Sequence, residues 1–373
     1  MLAVIIISVL LLSAYTALIA YYCNGWTQLP EFIPGATDAR VKISVIIAAR
    51  NEGPAIGSLL HALARQSYSP EWYEIIVIDD HSEDDTAARV QEFEKIKLIR
   101  LKEHTAAYGK KKAIETGIRY ATGDLIVTTD ADCIPGENWL ATIAAFKQET
   151  QAVFIAAPVV FRNNTRFLEL FQTLDFLTLQ GITGASVYKK FHNMCNGANL
   201  AYDKNVFVEV NGFEHISHIA SGDDMLLMHK IAERYPDRIR YLKNKEAMME
   251  TLPQSTWTAF LNQRRRWASK AVFYKDKRVS YVLLLVYLVN LLFPILLILG
   301  LAVNTAFLYL LGALLVAKTA IEYRFVKMVA GYFSKNQLMK YFIWMQPFHI
   351  FYTVVSGWLG QAGRYHWKGR KVK

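Results

Sequence analysis

Residues 124–132 read DLIVTTDAD, a β-rich run that ends in two carboxylates one residue apart, Asp130 and Asp132. Two acids at the end of an apolar strand fit a divalent-metal site, a covalent aspartyl intermediate, or a plain Asx-type turn before Pro135 and Gly136. The flanking sequence decides the fold around them. ISVIIAA (43–49), EIIVIDD (74–80) and IKLIRL (96–101) are strands of the same kind. Between them run segments of helical character, PAIGSLLHALARQ (54–66), EDDTAARVQEFEK (83–95) and KKKAIETGIRYAT (110–122). Repeated βα units with short links predict an α/β fold, a mostly parallel sheet flanked by helices. Ligands in such sheets bind beyond the carboxyl ends of the strands. Three of the four strands end in polar groups, Arg50-Asn51-Glu52, Asp79-Asp80 and Asp130-Ala131-Asp132. One crevice would collect them.

Each motif has a functional and a bland reading. Asp130 and Asp132 can hold Mg2+ or Mn2+, which take oxygen ligands and share them with substrate phosphates. Asp79 and Asp80 can accept hydrogen bonds from a base or a ribose; otherwise they precede a helix capped by Ser82, with acids in its first turn. Asp223 and Asp224 open a helical stretch, as dipole-complementing acids or as a general base facing a cleft. QRRRW (263–267) reads in isolation as a headgroup anchor, although arginine also clamps diphosphates and tryptophan walls apolar pockets. Neither GxGxxG nor GxxxxGK[ST] occurs, which disfavours the usual dinucleotide site and a P-loop.

The chain has 373 residues, a net charge of +10, 53% hydrophobic and 20% charged residues. This composition leans toward membrane association, and nothing in it reads as a nucleic-acid module. Cys23, Cys133 and Cys195 form no CxxC pair, so neither a disulfide framework nor a structural zinc site is expected. Residues 1–22 carry no charge and predict a retained transmembrane anchor, since the basic start of a signal peptide is missing. Arg40, Lys42 and Arg50 follow, which puts residues 43–270 in the cytoplasm by the positive-inside rule, with the chain in the cell inner membrane. Residues 279–317 are long enough for two spans, with a turn near 300–305 and a basic loop at Lys318, Arg324 and Lys327. Residues 341–362 hold Gln346, Pro347 and His349 and are expected to be re-entrant or interfacial, because a third span would export the basic tail 363–373. Trp358 and Trp367 suit a headgroup level. The domain expectation is therefore an anchor at 1–22, a catalytic domain at 43–270, a membrane region at 279–362 and the tail.

Taken in order, SVIIAARNE (44–52), IVIDDHSEDDT (76–86), GKKKAIETG (109–117), TDADCIPGENWL (129–140), NGANLAYDK (196–204), GDD (222–224) and QRRRW (263–267) resemble a membrane-associated family-2 glycosyltransferase. That group includes cellulose and hyaluronan synthases and ceramide glucosyltransferases. The resemblance covers residues 43–270 and implies the GT-A nucleotide-diphospho-sugar transferase fold. It also implies roles. Glu52, Asp79 and Asp80 would contact the donor nucleoside, and Lys110 would lie near its phosphates. Asp130 and Asp132 would form the metal-binding DxD, with Asp132 the direct ligand of Mg2+ or Mn2+ and Asp130 on the donor or its ribose. Asp224 would be the catalytic base. Gln263, Arg266 and Trp267 would form the QxxRW motif at the diphosphate and acceptor end. Two departures are visible: the base motif, more often Glu-Asp, is Asp223-Asp224, and Ala113-Ile114-Glu115 replaces the usual Ala-Leu-Asn.

The implied reaction is inverting transfer from a nucleotide-diphospho-sugar, a UDP-sugar at the level of the family, to a lipid or lipid-linked glycan. A processive polysaccharide synthase is the alternative within the family; three or four membrane segments are few for a polymer tunnel. Among other classes, a phosphohydrolase of the HAD type carries its DxD on the first strand, whereas here three βα units precede it. A non-catalytic scaffold would be expected to have lost some of these acids. The apolar stretch 166–182 reads equally as a membrane-facing acceptor element or a core helix.

Overall fold

A computed structural model describes residues 1–35, 39–101, 109–162, 165–217, 219, 222–270, 273–360, 365–367 and 370–372. The chain divides into two compact units. One comprises Met1–Leu29, Asn164–His192 and Gln254–Tyr365; the other comprises Pro30–Asn163, Asn193–Pro253 and His366–Lys373.

The first unit is helical: α1 (Leu2–Gln28), α6 (Phe167–Lys189), α9 (Trp257–Ala268), α10 (Lys277–Ala302), α11 (Ala306–Tyr332) and α12 (Phe342–Gly360). Among the described residues, α1, α10 and α11 are long and apolar enough to cross a membrane. The turn between α10 and α11 falls at 303–305, where the Asn304 side chain accepts the Ala306 N–H at 2.8 Å. The expected basic loop after it does not form. Lys318, Arg324 and Lys327 lie on α11, which continues to Tyr332. Lys318 is fully buried, with its ammonium 2.7 Å from Glu322 and 2.9 Å from the Gln346 carbonyl. The Gln346 amide returns to Glu322 at 2.8 Å, and the Tyr15 hydroxyl donates to the same carboxylate. Such a closed ring satisfies charges that an apolar interior would otherwise penalise heavily. Residues 342–360 form one helix, α12, with Pro347 inside it. The stretch 166–182 belongs to α6, a helix buried along most of its length within this unit.

The second unit is an α/β layer structure. Its strands are β1 (Ile43–Ala49), β2 (Tyr73–Asp79), β3 (Ile96–Arg100), β4 (Leu125–Asp130), β5 (Ile134–Pro135), β6 (Phe154–Ala156), β7 (Val159–Phe161), β8 (Leu200–Asp203), β9 (Ile239–Tyr241) and β10 (Met249–Thr251). Its helices are α2 (Gly53–Ala64), α3 (Thr86–Gln91), α4 (Lys110–Tyr120), α5 (Trp139–Thr150), α7 (Lys204–Glu209) and α8 (Met225–Arg234). Seven strands form the main sheet in the order β3-β2-β1-β4-β8-β6-β9. The first four are mutually parallel, and β8 runs antiparallel to both β4 and β6. Val45, Ile46, Ile47, Ile76, Val77 and Val127 are completely buried, each worth about 1.5–3 kcal/mol of apolar burial. Strands covered on both faces need such continuous apolar runs. A small sheet, β5-β10-β7, clamps the chain just beyond β4. Two further short strands, β11 (Tyr365–Trp367) and β12 (Arg370–Val372), pair with each other. The expectations for the basic tail and for Trp367 rest on side chains outside those described.

The predicted helix 83–95 is shortened to α3, and its acids stand before the first turn rather than within it. Asp84 instead accepts from the Gly53 N–H at 3.0 Å and the Thr86 N–H at 3.1 Å. Ser82 accepts from the Asn51 N–H at 3.0 Å rather than capping the helix. The loops after β1 and β2 are thereby laced together. That local pairing delays the start of the helix to Thr86, as short polar side chains do when backbone donors lie in reach.

Candidate active site

The register of the parallel strands brings the acids together. Ala49 on β1 pairs with Asp79 on β2, and Ala48 pairs with Asp130 on β4, so both acids flank the end of β1. Asp79 and Asp80 are buried. Asp79 accepts from the Ser82 N–H at 3.0 Å, and Asp80 meets the His81 ring at 3.0 Å. The Arg50 guanidinium donates to the carbonyl oxygens of Asp80 and His81 at 2.8 and 3.1 Å. Glu52 precedes α2, and its N–H donates to the Thr86 hydroxyl at 2.8 Å.

Lys110 starts α4 and ties two distant pieces of chain together. Its ammonium lies 2.6 Å from Asp130 and 2.9 Å from Asp223. Burial alone would lower the lysine pKa, but Asp130 and Asp223 outweigh it and hold the ammonium well above the usual lysine range. The next residue, Lys111, donates to the carbonyl oxygens of Ile216 and Ile219 at 2.7 and 2.8 Å.

Asp224 is the N-cap of α8. One oxygen accepts the Met225 N–H at 2.7 Å and the other accepts the Gly197 N–H at 3.3 Å. Gly222 before it has φ +86°, the left-handed region that glycine enters without steric cost. Gly197 lies close against the same charged pair. A Cβ there would stand 3.1 Å from the Lys110 ammonium and 3.3 Å from the Asp223 carboxylate. Behind this corner, the buried Trp139 indole donates to Asn199 at 3.0 Å, and the Asn199 amide donates to the carbonyl oxygens of Pro158 and Ala247, both at 2.8 Å. The segment after DxD and the NGAN segment are locked by these bonds.

Asp130, Asp132 and Cys133 place one potential ligand atom each within 4.8 Å of one another. Burial, and then the Asp130 and Asp132 charges, push the Cys133 thiol well above its usual range. A thiol sulfur is in any case a soft donor, poorly matched to Mg2+ or Mn2+. The two carboxylates are therefore the donors that fit a hard divalent cation, and Cys133 stands beside them as a bystander.

Gln263, Arg266 and Trp267 lie on α9, in the helical unit. There Arg264 is buried, 2.7 Å from Asp175, with its guanidinium 4.3 Å from the Trp267 ring centroid and 4.9 Å from that of Phe260. The arginine run is thus not a uniform headgroup-facing stretch, because the Arg264 guanidinium is held inside by its carboxylate partner and by aromatic stacking. Asp223, Lys111, Gly197, Asp175 and Arg264 are the structural partners that sequence reading did not assign. The charged ones sit one residue from an assigned position or alone on an apolar helix, and only tertiary contact distinguishes them.

Residues 44–210 match the family described as "Glycosyl transferase family 2". The chain is 24% identical over 265 residues to "Probable glycosyltransferase YdaM" of Bacillus subtilis, covering 66% of this chain and 61% of that protein. It is 27% identical over 231 residues to "Poly-beta-1,6-N-acetyl-D-glucosamine synthase" of Staphylococcus aureus, covering 61% of this chain and 53% of that protein. It therefore spans less than two thirds of the length of these relatives. The structure resembles a mannosyltransferase from Pyrobaculum calidifontis solved with GDP-Man and Mn2+, at a TM-score of 0.58 and 19% identity over 95% of this chain and 99% of that one. At that identity the likeness concerns the fold. Residues 44–210 are a glycosyltransferase family 2 domain, and the chain that carries them has the GT-A fold.

Proposed function

We propose that the protein is an inverting glycosyltransferase that moves a sugar from a nucleotide-diphospho-sugar to a lipid or lipid-linked glycan at the cytoplasmic face of a membrane. The observation that carries this reading is the Lys110 bridge between Asp130 and Asp223. It joins the DxD strand end to the turn that presents Asp224, so a donor site and a base site share one charged corner.

Asp224 takes the proton of the acceptor hydroxyl. Its bonds from the Met225 and Gly197 N–H groups orient the carboxylate at the start of α8. Lys110 places positive charge where the diphosphate gathers negative charge. Glu52, Asp79 and Asp80 hold the nucleoside, with Asp79 and Asp80 fixed by the laced loops. Asp132 and Asp130 would hold Mg2+ or Mn2+, which would supply positive charge to neutralise the leaving diphosphate. Gln263, Arg266 and Trp267 serve the diphosphate and acceptor end. The mannosyltransferase solved with GDP-Man and Mn2+ supports a metal-assisted nucleotide-sugar reaction on this fold.

The polysaccharide synthase relative favours a second reading, processive polymerisation. Three long apolar helices among the described residues favour single transfer instead. The deciding experiment incubates the membrane-embedded protein with a panel of UDP- and GDP-sugars and a membrane lipid extract. Mass spectrometry of a lipid gaining one sugar supports the proposal; a polymer ladder supports the second reading; released phosphate without a glycosylated product contradicts both.

A further inference from the structure

Charge in the last part of the chain is one-sided. From residue 323 to the end there are nine Lys and Arg and no Asp or Glu. Two of these cations, Arg324 and Lys327, line a depression of about 450 Å3 on α11 together with Tyr323, Met328, Gly331 and Asn336. No acid lines it. The Lys327 ammonium lies 5.8 Å from the Tyr323 ring centroid.

The depth of this depression follows from helix geometry. From Ala306 to Tyr323 an α-helix rises about 26 Å at ~1.5 Å per residue, close to the ~30 Å of a bilayer's hydrocarbon core. The end of α1 lies at the same level: the Thr27 hydroxyl is 3.5 Å from the Met328 sulfur, and Trp26 meets Tyr332 edge-on at 5.4 Å. Aromatic rings with a polar edge collect at the headgroup level. The cavity therefore combines cations, an amide donor and an apolar floor at the depth of lipid phosphates.

We propose that this depression binds the headgroup phosphate of one anionic phospholipid. Arg324 and Lys327 pair with the phosphate, Asn336 supplies a further N–H donor, and Tyr323 and Met328 receive the adjoining glycerol and first acyl carbons. Arginine and lysine near an anionic surface attract it generally; a depression lined by two of them makes the contact saturable.

The test uses the full-length protein in detergent, titrated with phosphatidylglycerol, phosphatidylcholine or inorganic phosphate and followed by native mass spectrometry. One phosphatidylglycerol per chain should bind about tenfold or more tightly than phosphatidylcholine, and inorganic phosphate should not compete at equal concentration. The R324Q/K327Q variant should lose this preference, whereas K335Q/K340Q, with the same charge change outside the depression, should keep it. Equal binding of both lipids, or equal loss in both variants, overturns the site in favour of a diffuse basic surface. Displacement by inorganic phosphate assigns the chemistry to a free anion and overturns the lipid. R324Q/K327Q should also stay in carbonate-washed membranes, because α1, α10 and α11 carry insertion; its release would overturn the separation of headgroup site from anchor.

Discussion

The Lys110 ammonium lies 2.9 Å from the Asp223 carboxylate, so a cation at the start of α4 reaches the turn that begins α8. That one contact connects two motifs more than a hundred residues apart. A hydrogen bond to a charged group contributes about 1.5–3 kcal/mol, roughly ten- to a hundredfold in an equilibrium or rate. Asp223→Asn should therefore lower kcat/KM by about that factor without unfolding the protein. A double-mutant cycle with Lys110→Met should show strong coupling; additive losses would mean the two residues act separately.

The carboxylate pair predicts metal dependence. Chelation should abolish transfer, and Mn2+ or Mg2+ should restore it. Asp132→Ala should remove the response to metal, measured as a metal titration of activity. Cys133→Ser should leave that titration unchanged, because a soft thiol sulfur is poorly matched to a hard divalent cation. A shifted metal midpoint in the serine variant would make Cys133 a ligand.

Asn199 sets the stability of the corner. Removing its side chain leaves the Trp139 indole N–H and the carbonyl oxygens of Pro158 and Ala247 without their partner. An unsatisfied buried group costs about 1–3 kcal/mol. Asn199→Ala should lower stability by at least about 2 kcal/mol in denaturant unfolding. A change under about 0.5 kcal/mol would show that the corner tolerates the loss.

Glu74 predicts part of the acid sensitivity. Burial alone would raise its pKa, but hydrogen bonds from the Ser44 hydroxyl at 2.6 Å and from Thr122 hold the carboxyl below its usual value. A folded pKa below the unfolded one gives stability that is present above the unfolded value, about 4.3, and lost as pH falls through the folded value. Glu74→Gln should flatten the fall in thermal midpoint between neutral and acid pH. An unaltered slope would remove Glu74 from the account.

Much of this was legible in the sequence, for identifiable physical reasons. The run 43–49 is apolar, bounded and β-branched, and it is β1 residue for residue. The parallel half of the sheet followed from four such runs alternating with helices. The antiparallel half did not, because β6 and β9 have three residues each and show no period. The helix expected from 83 starts only at Thr86 because Asp84 and Ser82 bond backbone donors of the neighbouring loop. Lys318 looked like a loop cation; Glu322, one helical turn away, and Gln346 bury it. The acids of the candidate site could be listed from the sequence. Their joining through Lys110 needed the register of β1, β2 and β4.

The most direct test of the account is Asp224→Asn. Asparagine remains a good N-cap, so α8 should keep its start. General-base catalysis contributes about 10^2–10^4 in rate. Donor affinity measured by calorimetry should stay within about twofold of wild type, while transfer measured by mass spectrometry should fall by at least about a hundredfold. Wild-type turnover in this variant would contradict the assignment of Asp224 as the base.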